Sequence, residues 1–325
     1  MANALIDAPR SEDGTDGGSS RLLGAVLAGL GALLLVLGLL VHFYVVPKLG
    51  VAPIDQNSVT SLEAHGATVF DTATLKPITT DLFVKARTVG DVAASKKAPG
   101  DALVWVSTTT VKSLDGVIRS QSVKRAAFDK RTAKAVNCCG NFMETEDGVR
   151  EPVTRSGLMF KFPFGTEKKT YQVWDDTLGK AVTTTYKGTA KVQGHSTYKF
   201  ENDVPATVVG HQEVPGSVLG LDSNDNVAAD DYYQNHNTYY VEPVTGAIVN
   251  QVTKTKSWFS FDDHDLVTTE ATIAYTPQET RETYDMLGSQ PTLLSLANGF
   301  LPWLVALLGV GLIGLGSVLS RRRGY

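Results

Sequence analysis

Two apolar runs lie near opposite ends of the 325-residue chain, and they constrain it more than any other feature. Leu22 to Val46 contains no Asp, Glu, Lys or Arg. At 1.5 Å per residue, a helix of that length reaches about 37 Å, enough to cross a hydrocarbon core of about 30 Å with some tilt. The competing reading is a cleaved secretory signal. Against it, the run is longer than a usual signal core, and the preceding charges (Asp7, Arg10, Glu12, Asp13, Asp16) do not form a basic region. We therefore read a retained transmembrane helix over 22–46, preceded by a Gly-, Ser- and Asp-rich disordered cytoplasmic tail over 1–21.

The second run, Phe300 to Leu319, is followed by Ser320 and then Arg321, Arg322 and Arg323. Arginines flanking a span mark its cytoplasmic side. Two crossings then predict a cell-membrane protein with both termini inside, a basic cytoplasmic tail over 320–325, and residues 48–292 outside. Gly309-Val-Gly311-Leu-Ile-Gly314 matches the dinucleotide pattern G-x-G-x-x-G, but it lacks the strand, soluble helix and acidic residue that the fingerprint needs. Small residues in a span instead let helices approach closely. Gly309 with Gly316, and Gly24 with Ala28, predict contact between the spans or with another copy.

Between the spans, Val51 to Tyr275 is rich in Thr, Val, Tyr and Phe with Asp-Gly and Gly punctuation, which are strand and turn signals. Leu158, Phe160, Phe162 and Phe164 alternate with other residues, as do Val267, Thr269, Ala271, Ile273 and Tyr275. Ala102 to Val111 and the flanks of Pro243-Val-Thr-Gly246 add further strands. Pro163 places the Phe-rich strand at an edge or breaks it. Thr276-Pro277-Gln278-Glu279 has capping-box spacing and opens a helix over Pro277–Leu287. The predicted fold is a mostly β ectodomain (antiparallel, some helix) flanked by N-terminal and C-terminal transmembrane helices.

A net charge of −4 gives no positive field for nucleic acid. The charge is unevenly spread: residues 48–200 hold 22 basic and 15 acidic side chains, whereas 201–292 hold 3 and 15. We expect the two halves to neutralise each other. No nucleophile elbow, H-E-x-x-H or Walker loop occurs, so the reading is a non-enzyme with no catalytic residues, cofactor or metal. Cys138-Cys139 is compatible with a vicinal disulfide, two free thiols, or bridges to another chain; adjacent Cα atoms are 3.8 Å apart, closer than in usual bridges. The acidic stretch Asp222 to Asp231 lacks the Gly and Glu of an EF-hand and reads as a solvated loop. Asp262-Asp263-His264-Asp265 reads as a turn.

The chain resembles the actinobacterial PorA-like family of two-span envelope proteins. The likeness rests on Ala127 to Thr132, Asn137-Cys138-Cys139-Gly140, Phe160 to Lys169, Tyr171 to Asp175, and Tyr240 to Pro243 with Thr245-Gly246. It covers about 22–320 and carries no catalytic residues across. It implies a place in the cell envelope, where relatives are linked to lipids and glycolipids. The helix–β domain–helix order is also similar to that of CD36-like receptors, which pass lipid through an ectodomain tunnel. The expected function is accordingly an external β domain that binds or conveys lipid or glycolipid, with Phe160, Phe162, Phe164 and Trp174 as candidate ligand-binding walls. The alternatives are a scaffold for other envelope proteins or, through the Gly-rich helices, a self-associating porin-like channel.

Overall fold

The computed structural model describes residues 16–144 and 148–321. The chain divides into two compact units, one holding the two apolar helices and the other spanning Gly50–Pro291.

In the first unit, α1 (Asp16–Leu40) runs through a π-helical turn, Val41–Val45, into α2 (Val46–Leu49). The Val46 N–H bonds to the Val41 carbonyl. That extra residue in the turn lies just before Pro47, whose ring lacks an N–H and crowds the preceding turn. Two sequence boundaries move. The helix begins at Asp16, inside the segment expected to be a disordered tail, because extending an existing helix costs far less than nucleating one. It also continues past Val46 to Leu49. Residues 1–15, Arg322 and Arg323 lie outside the described residues. Arg321 closes the last turn of the helix Leu301–Arg321.

These two helices meet along a glycine seam. A Cβ built on Gly31 would sit 2.5 Å from the Gly309 carbonyl oxygen, one on Gly316 would sit 2.5 Å from that of Gly24, and one on Gly38 would sit 2.6 Å from that of Pro302. Gly24, Gly31 and Gly38 therefore face Gly316, Gly309 and Pro302 at seven-residue spacing, so backbone touches backbone. Gly311 and Gly314, the other glycines of the dinucleotide-like motif, have nothing within 4 Å.

In the second unit, the strands in chain order are β1 (Asn57–Asp71), β2 (Lys76–Gly90), β3 (Ala102–Ser113), β4 (Ile118–Asp129), β5 (Ala135–Val136), β6 (Phe142–Glu144), β7 (Arg150–Pro152), β8 (Tyr171–Asp175), β9 (Lys180–Val192), β10 (His195–Pro215), β11 (Asn226–Val241), β12 (Ile248–Phe261) and β13 (His264–Tyr275). A short α3 (Val92–Lys97) precedes β3, and α4 (Pro277–Leu287) and α5 (Gln290–Asn298) follow β13 before α6 (Leu301–Arg321). The strands form one antiparallel sheet ordered β7-β6-β4-β3-β2-β1-β13-β12-β11-β10-β9-β8, with β5 beside β4. The chain is thus mostly antiparallel sheet with apolar helices at both ends, as the residue patterns predict.

The sheet closes on itself at one end. Ala135 N–H donates to Gly157 O at 2.8 Å, Leu158 N–H to Gln172 O at 2.7 Å, and Trp174 N–H to Leu158 O at 3.2 Å. Hydrogen bonding therefore runs from β8 through residues 157–159 to β5 and β4, which leaves no free edge there. The Phe-rich stretch read as a strand is irregular: Leu158 makes isolated bridges only, and Phe160 sits at φ 60. Pro163 has no N–H for a ladder, and the left-handed turn at Phe160 aims successive side chains off a pleat. Instead, the segment crosses the closed end. Phe164 N–H bonds Arg131 O at 3.1 Å on one side, while Phe162 N–H bonds Gly246 O at 2.9 Å and Thr166 N–H bonds Pro243 O at 2.7 Å on the other. Phe162 fills the interior, stacked on Phe200 at 4.7 Å and packed against Tyr171 and Tyr239.

The described ion pairs form within each half of the sequence more than between the halves. Among the described ion pairs, Lys199–Glu201 is the one that joins a residue of 48–200 to one of 201–292. Arg119 pairs with Asp71, Arg125 with Asp91, and Lys124 and Arg155 with Asp176. Antiparallel neighbours are often near in sequence, so ion pairs form mostly within one half, and among the described ion pairs the acidic excess of 201–292 stays largely unpaired.

Candidate functional site

The crossing segment forms the floor of a cavity at the closed end. The rest of the wall comes from the residues before β1 and its first turn, the ends of β2 and β13, the start of β3, the Thr245–Ile248 turn, and α4. The cavity measures about 440 Å³, within the range of small-molecule sites.

Helix α4 gives the cavity one of its walls. Thr276 caps the helix, its Oγ1 accepting the Glu279 N–H at 3.0 Å, and Pro277 occupies the first turn. The reciprocal arm of the expected capping box is absent: the Glu279 carboxylate accepts the Ser61 N–H at 2.8 Å and so pins the helix to β1. Burial raises the Glu279 pKa, and the Ser61 N–H works against that shift. Glu279, Thr283, Met286 and Leu287 recur at helical spacing and line the cavity from one face of α4, and Gln290 joins the lining from the start of α5.

Opposite stand Trp105, Phe160 and Phe164. The Trp105 indole N–H donates to Pro53 O at 3.1 Å, and its ring lies 5.4 Å from Phe160. Lys161 lines the same cavity, and its ammonium lies 3.4 Å from the centre of the Phe164 ring. Burial pushes the Lys161 pKa down to about 7, with Glu242 pulling the other way. Burial also raises the Tyr275 pKa well above the usual phenol range.

The four aromatic residues singled out from the sequence thus have different placements. Phe160 and Phe164 line the cavity, Phe162 is core beneath it, and Trp174 belongs to a polar network. The Trp174 indole N–H donates to the Asp176 carboxylate at 2.8 Å; Lys124 approaches the same carboxylate at 2.7 Å and Arg155 at 3.4 Å. The Arg155 guanidinium is fully buried and also donates to Arg125 O at 2.8 Å and Phe142 O at 3.1 Å. Burial alone would raise the Asp176 pKa, but Lys124 and Arg155 outweigh it and hold the group below the usual carboxylate range. Lys161 and Arg155 carry no local sequence signal beyond a basic residue among apolar or turn-forming neighbours.

Cys138 and Cys139 are joined in the structure as a vicinal disulfide, with Cys139 at φ 64 and Gly140 at φ 73. The turn is clamped on both sides. Asn137 exchanges hydrogen bonds with the Arg155 backbone at 3.0 and 2.8 Å, and Asn141 bridges Val136 O at 3.0 Å and Ala127 N–H at 2.8 Å. A second hollow, about 590 Å³, is polar and open to solvent at Lys254, which is exposed; His236 Nδ1 bonds Asp203, and Lys256 pairs with Glu270 at 3.6 Å.

The sequence matches the family described as Porin PorA over residues 23–318. Among similar proteins, the Porin PorA of Corynebacterium amycolatum is 24% identical over 313 residues, covering 75% of this chain and 80% of that protein. The Porin PorA of Corynebacterium resistens is 21% identical over 405 residues, covering 93% and 97%. The family match runs through the strand-built region and both apolar ends, and with a match of that extent this chain belongs to the PorA porin family.

Proposed function

We propose that this chain is a two-span protein of the cell envelope that acts as a channel-type assembly of several copies, with the strand-built unit outside the cell membrane and both termini inside. The supporting observation is the family match over residues 23–318, with 75% and 93% of the chain aligned to relatives that carry the porin name. Physical arguments shape the reading. The glycine seam brings the two helices into backbone contact, which leaves no passage between them within one chain. The sheet is filled by Phe128, Phe162, Phe200 and Val241, and its strands bear outward lysines and threonines instead of the apolar band a membrane barrel needs. A conducting path therefore lies between copies, bounded by the helix faces that carry Gly29, Gly311 and Gly314. Purified full-length protein in planar lipid bilayers is expected to give stepwise conductance whose frequency rises faster than linearly with protein load. Silence at high load overturns this reading.

The cavity favours a second reading, in which the outer unit holds a lipid or other apolar ligand. Aromatic and aliphatic side chains make up much of its wall, and burying such surface against a ligand chain contributes roughly 25 cal/mol per Å². Native mass spectrometry of the full chain is expected to show a retained apolar ligand that Leu287→Trp displaces. Bare protein under several extraction conditions counts against this second reading.

A further inference from the structure

Lys161 is placed where a lone cation is costly. It lines the cavity, and its ammonium lies over the Phe164 ring. Among the described residues, Glu242 is the one charged group that acts on it. That carboxylate is already committed: it accepts the Val244 N–H at 3.0 Å, the Thr245 N–H at 2.7 Å and the Thr245 hydroxyl at 2.6 Å. Two other titratable groups face the cavity. Tyr275 stays neutral, and Glu279 is tied to the Ser61 N–H. A charged amine without a carboxylate of its own, in an aromatic pocket, is an unmet demand for an anion. The polar hollow makes no such demand, because Lys256 is paired with Glu270 and Lys254 is exposed to water.

We propose that the cavity selects a single-chain amphiphile with an anionic head group, the head pairing with Lys161 and the chain lying against Phe164, Met286 and Leu287. This rests on the second reading above, that the cavity holds an apolar ligand, and adds the chemistry of the head. Its pH dependence has a definite sign. In the empty cavity Lys161 loses its proton as pH rises through about 7. Affinity for a carboxylate is therefore greatest below that value and falls above it, while affinity for an uncharged head stays level.

The test uses the full chain in nanodiscs with two photoactivatable diazirine probes, a dodecanoic acid and the matching dodecanol. Crosslinks to Phe164, Met286 and Leu287 are mapped by peptide mass spectrometry at pH 6 and pH 9. The acid is expected to label these residues about tenfold more than the alcohol at pH 6, equivalent to one unit of linked pKa, and to lose most of that advantage at pH 9. Lys161→Met is expected to label equally with both probes. Lys161→Arg keeps its charge at both pH values, so it should keep the preference and lose the pH dependence, which serves as the readout where the Met variant folds poorly. Equal labelling of the wild type by acid and alcohol overturns the head-group assignment and leaves the cavity reading standing. Absence of cavity labelling by either probe overturns both.

Discussion

Arg155→Ala is expected to destabilise the strand-built unit by roughly 3–5 kcal/mol, the range for removing one partner of a buried, hydrogen-bonded charge network. The change strips hydrogen bonds from Arg125 O and Phe142 O and leaves a void where a fully buried side chain stood. It also removes one of the two cations that hold Asp176 ionised. For a unit of this size, a loss of that order lowers the melting temperature by roughly 10 °C, which scanning calorimetry measures. Arg155→Lys keeps the charge but cannot span three acceptors with a fixed fork, so it should recover only part of the loss. The pH response gives an independent check. Asp176 has a depressed folded pKa, so its contribution is present above the unfolded value of about 4 and is lost as pH falls through the folded one. Without Arg155 the folded pKa rises, and the acid limb of the stability curve should move to higher pH. A variant that melts within 2–3 °C of wild type, on the same scale of about 2–4 °C per kcal/mol, means the network contributes little.

What could be read from the residues was whatever depends on near neighbours. The two apolar helices, long enough to cross a membrane, follow from uninterrupted apolar length, and the helix at Pro277 follows from Thr276 and Glu279 three residues apart. Hairpins were legible for the same reason. Asp262 and Asp263 both sit at positive φ in the turn between β12 and β13, the backbone that an Asp-Asp pair tolerates between two alternating strands. The Leu158–Phe164 stretch defeated that reading because period-two alternation is shared by a pleated strand and by a segment laid across a filled core. The pattern put Lys161 on the side opposite the phenylalanines, whereas the turn at Phe160 brings it round to the wall they share. The cavity itself had no sequence signature. Its walls come from positions as far apart as Val51 and Gln290, and only the closed sheet brings them together. Arg155 was invisible for the same reason, since its acceptors lie at Arg125, Phe142 and Asp176.

Gly246→Ala is expected to cost about 2–5 kcal/mol and to empty the cavity along with it. Gly246 sits at φ 72, a region where a non-glycine residue costs roughly 1–2 kcal/mol. A Cβ there would also run into the Phe162 and Pro163 carbonyl oxygens, and forcing such a contact apart adds about 1–3 kcal/mol. Those atoms belong to the segment that crosses the closed end, anchored by the Phe162 N–H bond to Gly246 O and the Gly165 N–H bond to Val244 O, both at 2.9 Å. Pushing the segment away displaces Phe160, Lys161 and Phe164 together, so stability and probe labelling should fail in step. Gly140→Ala supplies the comparison: Gly140 has nearly the same φ, 73, but nothing lies within 4 Å of its would-be Cβ. It should show the backbone strain alone and leave cavity labelling intact. Chemical denaturation of the two variants then isolates the steric part as their difference. If that difference is nil, the turn at Gly246 does not hold the crossing segment in place, and the cavity is kept open by the strands and α4 alone.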